Sequence, residues 1–204
     1  MTDQTRINSF LRDLAVSSQW ELKHSSLCAI AQFADVHGRH KAASLIPAIL
    51  NILRHDFTEI ENKREHDVYL SVFVKRAALD ALKMIGERGN IRLTQIGQEL
   101  IFDPSWMIRC SAIDLLAAVD DNVERLINQL LFAYQDEDPE VRKCCVRNLQ
   151  VAFSSLNKHH TPLHAGVLNV LFTALTDPEY YVRSEAKNSM KRIVDSSKLA
   201  NEEI

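Results

Sequence analysis

Three histidines, His159, His160 and His164, follow the adjacent thiols Cys144 and Cys145. The chemistry such a set could support is metal binding. Its spacing speaks against that. Thr161-Pro162 interrupts the helix that would bring His160 and His164 onto one face, and no Cys-x-x-Cys occurs. A solvated histidine loop is the plainer reading. His55, His66 and Asp67 flank a polar stretch but form no recurring pair. There is no Gly-rich phosphate loop, no Gly-x-Ser-x-Gly and no His-Glu-x-x-His. No nucleophile–base pair is readable. The sequence therefore assigns no catalytic residue, no metal site and no cofactor, and enzymatic activity is not expected.

What the chain does carry is a cassette. An aliphatic residue and a basic one are followed by a small residue three on and a large apolar residue seven on. It reads Val74-Lys75, Ala78, Leu82; then Ile108-Arg109, Ala112, Leu116; Val141-Arg142, Cys145, Leu149; and Val182-Arg183, Ala186, Met190. A weaker copy, Leu22-Lys23, Ser26, Ile30, opens the chain. Asp103-Pro104, Asp138-Pro139 and Asp177-Pro178 introduce three copies. Asp suits an N-cap, and Pro suits the first helical position. Aliphatic, small and large apolar residues at i, i+4, i+8 form one helical stripe. The small member lets a neighbouring helix come close. A second apolar segment precedes each cassette, over residues 7–16, 45–57, 91–102, 123–134 and 163–175. The pattern predicts five helix pairs in one domain, 1–204, with units at about 5–36, 42–86, 91–119, 122–156 and 162–195. Polar insertions fall at 37–41, 58–67 and 154–161.

Self-similarity at this period predicts a stacked repeat protein. The tetratricopeptide signature is absent, and the ankyrin string Thr161-Pro162-Leu163-His164 occurs once. On its Asp-Pro, Val/Ile-Arg, Ala and Leu positions the chain resembles the HEAT-repeat family, in the short form that includes phycobilisome-lyase-type repeats. The resemblance covers nearly the whole chain. Units one and two depart from it, with Ser17-Ser18-Gln19 and Ser71-Val72 in place of Asp-Pro and Lys in place of Arg. It implies an all-α fold, an α-solenoid of about five HEAT-like helix pairs. It also implies a ladder between units made by Arg109, Arg142 and Arg183 with Asp103, Asp138 and Asp177. For function it implies a non-catalytic scaffold or adaptor that binds a protein partner. The repeat subtype implies an alternative, a lyase- or chaperone-like factor for tetrapyrrole-bearing phycobiliproteins. HEAT-like alkylpurine glycosylases imply a second alternative, DNA binding. The adjacent His-Glu dyads of iron-binding HEAT-repeat hydroxylases are missing.

Composition narrows these readings. A hydrophobic content of 46% over 204 residues can bury an ample core. No run of apolar residues is long enough for a membrane span. Residues 1–12 are polar and lack a signal-peptide core. Four cysteines read as reduced structural thiols, which fits a cytoplasmic location. A net charge of −3 gives no general nucleic-acid signal. The charge is uneven, however. Residues 103–140 hold nine acids and two bases, whereas 141–160 hold four bases and no acid.

Two surfaces are candidates for partner binding. The first is the exposed side of the second helices, which lines the concave groove in HEAT proteins. Steps of one, five and eight after the cassette base select Arg76, Asp80, Lys83, Asp114, Lys143, Arg147, Asn188 and Lys191. The second is the ridge of turns inside the pairs, where Trp20, Trp106 and Tyr180 stand three residues before their cassette bases. Trp and Tyr are frequent interface anchors. Tubulin-binding TOG domains are similar in placing a Trp in the first such turn. Each surface also has a plain structural reading, a solvated helix face or rings packed on the next unit.

Overall fold

The computed structural model describes residues 2–16, 20–55, 65–156 and 161–202, and all regular structure among them is helical. The elements are α1 (Asp3–Val16), α2 (Trp20–His37), α3 (Arg39–Ala42), a 3-10 turn (Ala43–Leu45), α4 (Ile46–His55), α5 (Glu65–Ile85), α6 (Ile91–Leu100), α7 (Trp106–Val119), α8 (Val123–Ala133), α9 (Pro139–Ser154), α10 (Thr161–Ala174) and α11 (Tyr180–Glu202). The insertion expected at 37–41 contains most of α3. Most of the other two insertions lies outside the described residues.

Helices pair as the cassette requires. α1 packs on α2, α4 on α5, α6 on α7, α8 on α9 and α10 on α11. The second helices also touch in series, α2 to α5, α5 to α7, α7 to α9 and α9 to α11. Ala78, Ala112, Cys145 and Ala186 are fully buried, and Val74, Ile108, Val141 and Val182 are buried beside them. The small residues matter because the backbones come close. A Cβ added to Gly97 of α6 would meet the Leu116 side chain of α7 at 2.8 Å. Leu22 departs from the stripe: it is partly exposed, while Ser26 and Ile30 are buried.

A guanidinium joins the turns of successive pairs. Arg109 Nη1 donates to the carbonyls of Asp103 and Pro104 in its own turn, at 2.9 and 3.1 Å. Its Nε and Nη2 reach the next turn and grip Asp136 at 2.7 and 2.8 Å. Arg142 repeats the geometry. Nη1 donates to the carbonyls of Asp136 and Glu137, at 3.0 and 2.9 Å, while Nε and Nη2 grip Asp177 at 2.8 and 2.9 Å. Lys75 makes the corresponding ion pair with Asp103. Each of these aspartates also holds its own turn, because Oδ1 accepts the N–H two residues on. The acceptances are Ser105 N–H at 2.9 Å, Asp138 N–H at 2.8 Å and Glu179 N–H at 3.0 Å. The Arg142 bonds hold the Asp177 carboxyl below its usual range. Ion pairs this sheltered are expensive to dehydrate, and they stabilise only when the remaining donors are met. The own-turn carbonyls meet them.

The ladder corrects two expectations. Its acid in the fourth unit is Asp136, not Asp138. The ladder position lies six residues before the base, at 103, 136 and 177, and Asp138 lies four before. Asp138 caps α9 instead, accepting the Glu140 N–H at 2.9 Å, with Pro139 at the first helical position. Asp103-Pro104 and Asp177-Pro178 do not start helices directly. Both sit in turns, and α7 and α11 begin at Trp106 and Tyr180. The dipeptide's Asp is thus a ladder acid at 103 and 177 and a helix cap at 138.

The loops between pairs are tied as well. Gly89, at φ 82°, donates its N–H to the Val119 carbonyl at 2.8 Å. Arg39 Nη1 reaches the Gly86 carbonyl at 3.2 Å. Fully buried Asp120 takes Arg125 through both carboxylate oxygens.

Two substitutions test this account. Ala112→Leu overpacks the α6–α7 contact and should lower stability by roughly 1–3 kcal/mol in a denaturant melt. Asp136→Asn strips the charge from the Arg109 clamp and should destabilise by about 1–3 kcal/mol. Asp138→Asn should be close to neutral, since Asn caps as well as Asp. Equal losses at 136 and 138 would contradict the assignment.

Candidate functional site

The ladder fixes the middle of α5, at Lys75, and the N-terminal ends of α7 and α9 against one another. Residues one and five steps after each cassette base then share one face. A cleft of about 210 Å3 opens on it, and its walls include Arg76, Asp80, Trp106, Asp114, Lys143 and Arg147. Six of the eleven candidate residues therefore meet at one place. Trp106 comes from the turn ridge and the others from the groove, so the two candidate surfaces run together here.

Asp114 is the hub. Its Oδ1 accepts from Arg147 Nη2 at 2.7 Å, Asn148 Nδ2 at 2.8 Å and the Cys144 thiol at 3.3 Å. Lys83 Nζ stands 3.4 Å from Oδ2. Burial pushes this carboxyl up, but Asn148, Arg147 and Lys83 more than offset it, and the net shift is downward. Asp80 shifts the other way. Burial raises it, the charge of Asp114 adds to the rise, and Lys83, Arg76 and the Ser111 hydroxyl compensate only in part. Arg76 lies 3.9 Å from Asp80, and Lys143 lies 3.3 Å from Glu140 and 5.4 Å from the centre of the Tyr181 ring. The charges of the cleft are thus already matched to one another. Trp106, 40% exposed, is the large apolar surface at its edge.

The remaining candidates are dispersed. Asn188 and Lys191 are exposed on α11 and do not line the cleft. Trp20 is half-buried against the N-terminal core, edge-on to His24 at 6.4 Å. Tyr180 is 72% exposed, with the Arg183 guanidinium 5.9 Å from its ring centre. His159 and His160 lie outside the described residues, while His164 meets the Phe153 ring edge-on at 5.0 Å. Cys144 and Cys145 are buried inside α9. The Cys110 contact and burial raise the Cys144 thiol, and burial raises Cys145.

Sequence reasoning missed two contacts. Cys28 and His24 approach to 3.9 Å beside a largely apolar cleft of about 380 Å3 between α2 and α5. One helical turn separates them, and that spacing alone brings side chains together. Phe102 and Phe132, 64% and 63% exposed, meet edge-on at 5.9 Å. Phe102 ends the apolar segment 91–102, and Phe132 lies two residues from the end of 123–134.

No family model matches this chain, and no curated protein matches it.

The two aspartates give a pH test. The folded-state pKa of Asp80 lies above its ordinary value of 3.8, so its ionisation opposes folding. That penalty is complete above the raised value and vanishes below 3.8. Asp80→Asn should therefore raise the melting temperature at neutral pH relative to the parent, with the gain shrinking as the pH falls into the acid range. Asp114→Asn should lower it at neutral pH, because a depressed carboxyl stabilises the fold above 3.8 and stops doing so as the pH falls through its folded value. Matching pH profiles for the two variants would refute the hub.

Proposed function

We propose that this chain is a HEAT-like α-solenoid scaffold or adaptor, and that it holds a protein partner at the cleft formed by α5, α7 and α9. The serial contact of the second helices and the Arg–Asp ladder support the solenoid reading. One observation carries the functional reading. An exposed Trp106 borders a cleft whose six named side chains come from three successive cassettes. An indole flanked by Arg and Lys is the composition of an interface anchor. The ionisable groups there neutralise each other across helices. That arrangement suits recognition of a surface better than activation of a nucleophile, which needs an adjacent base.

The test is affinity capture from the native cell with the full chain. The double variant Trp106→Ala, Lys143→Ala should recover a specific partner roughly tenfold less well, since an aromatic hot spot carries about that much binding energy. Its melting temperature should stay near that of the parent, because both side chains lie at the rim. Full recovery by this variant would sink the cleft assignment. Loss of the partner on Phe102→Ala, Phe132→Ala instead would move the interface to the first helices.

A further inference from the structure

Arg183 makes half of the ladder's bonds among the described residues. Nη1 donates to the carbonyls of Asp177 and Pro178, both at 2.6 Å, as Arg109 and Arg142 do in their own turns. In those two residues Nε and Nη2 then take the aspartate of the following turn. Among the described residues nothing accepts from Nε or Nη2 of Arg183. Its own turn therefore holds the guanidinium in place with one edge unmatched. The side of α11 that continues from it is basic for two steps, before Asp195 at the third. Lys187 and Lys191 are exposed at steps of four along the helix, so they share a face with Arg183. Glu185 is largely buried, with Arg192 3.8 Å from its Oε1. Tyr180, well exposed, stands beside the guanidinium.

We propose that this edge docks a protein partner bearing an aspartate-centred turn, whose carboxylate binds Nε and Nη2 of Arg183. The carboxylate would stand to Arg183 as Asp136 stands to Arg109 and Asp177 to Arg142. Two features select such a ligand. The guanidinium fork matches both oxygens of a carboxylate at once, which a point cation does not. The basic face of α11 favours an acidic segment in the approach. The surface uses none of the six cleft residues, so it stands or falls apart from the scaffold reading.

The probe is a synthetic peptide of the chain's own turn, Tyr134-Gln135-Asp136-Glu137-Asp138-Pro139-Glu140. It is titrated into the full isotope-labelled chain while the arginine Nε–Hε resonances are followed by NMR. A saturable shift is expected at Arg183 and in the Tyr180 ring. The same peptide with Asp136→Asn should bind roughly tenfold more weakly, the loss of one charged hydrogen-bonded group. That control keeps the other three acids, so it separates fork recognition from general charge. Arg183→Lys in the chain should abolish the preference between the two peptides. Because the peptide comparison uses the unaltered chain, an unstable Arg183 variant does not remove the test. Equal binding of both peptides overturns the proposal. So does the absence of a saturable Arg183 shift at millimolar peptide, or a shift confined to Arg147.

Discussion

A guanidinium that leaves water must have its donors met, and Arg109 and Arg142 meet theirs by belonging to two turns at once. Nη1 fastens to the carbonyls of the residue's own turn, which fixes the plane of the group. Nε and Nη2 then have one direction in which to find a carboxylate, and the next turn provides it. The aspartate is under a similar double demand, since its Oδ1 also accepts a backbone N–H. Neither partner can turn away without exposing an unmet polar group. Spacing between pairs is therefore set by bond geometry at the turns, while apolar contact between the second helices supplies the bulk of the adhesion. Lys75 makes the same connection in the second unit with a single ammonium, which lacks the planar fork.

The cleft follows from that constraint. With α5, α7 and α9 pinned at Lys75, Arg109 and Arg142, side chains one and five steps past each cassette base come into line. Asp114 can then be reached from α5 by Lys83 and from α9 by Arg147, Asn148 and Cys144. A carboxylate drawing on three helices acts as a cross-brace behind the cleft. Asp80, one unit earlier, has only weaker compensation, and the difference shows in the opposite directions of their acidity. A single arrangement of helices thus produces one carboxylate favoured in its charged form and one that burial pushes the other way.

The stripe was legible because it depends on helical period alone. Ala78, Ala112, Cys145 and Ala186 fall on it and are buried. The faces of the second helices were legible for the same reason. What period cannot supply is distance across helices. The sequence placed Asp114, Lys143 and Arg147 on a common face but gave no sign that Asn148 would complete the Asp114 site from within. Asp138 shows a different limit. An Asp-Pro pair signals a helix start, and in the fourth unit that signal is true, yet the inter-unit acid stands two residues earlier in a turn with no dipeptide to mark it. Phe102 and Phe132 show a third. An apolar residue near the end of a periodic segment carries no information about which side of the last turn it takes.

The cysteines divide along the same lines as the helices. Cys28 is on the surface of α2, Cys110 is half-buried on α7, and Cys144 and Cys145 are enclosed in α9 with thiols held in the protonated form by their surroundings. Alkylating reagents attack thiolates, so the folded chain presents them with a graded series of targets. Cys28 reports only the outer surface. Modification of Cys145 requires α9 to part from its neighbours. The rate at which each thiol is captured thus becomes a clock for local opening, built into the chain at three depths.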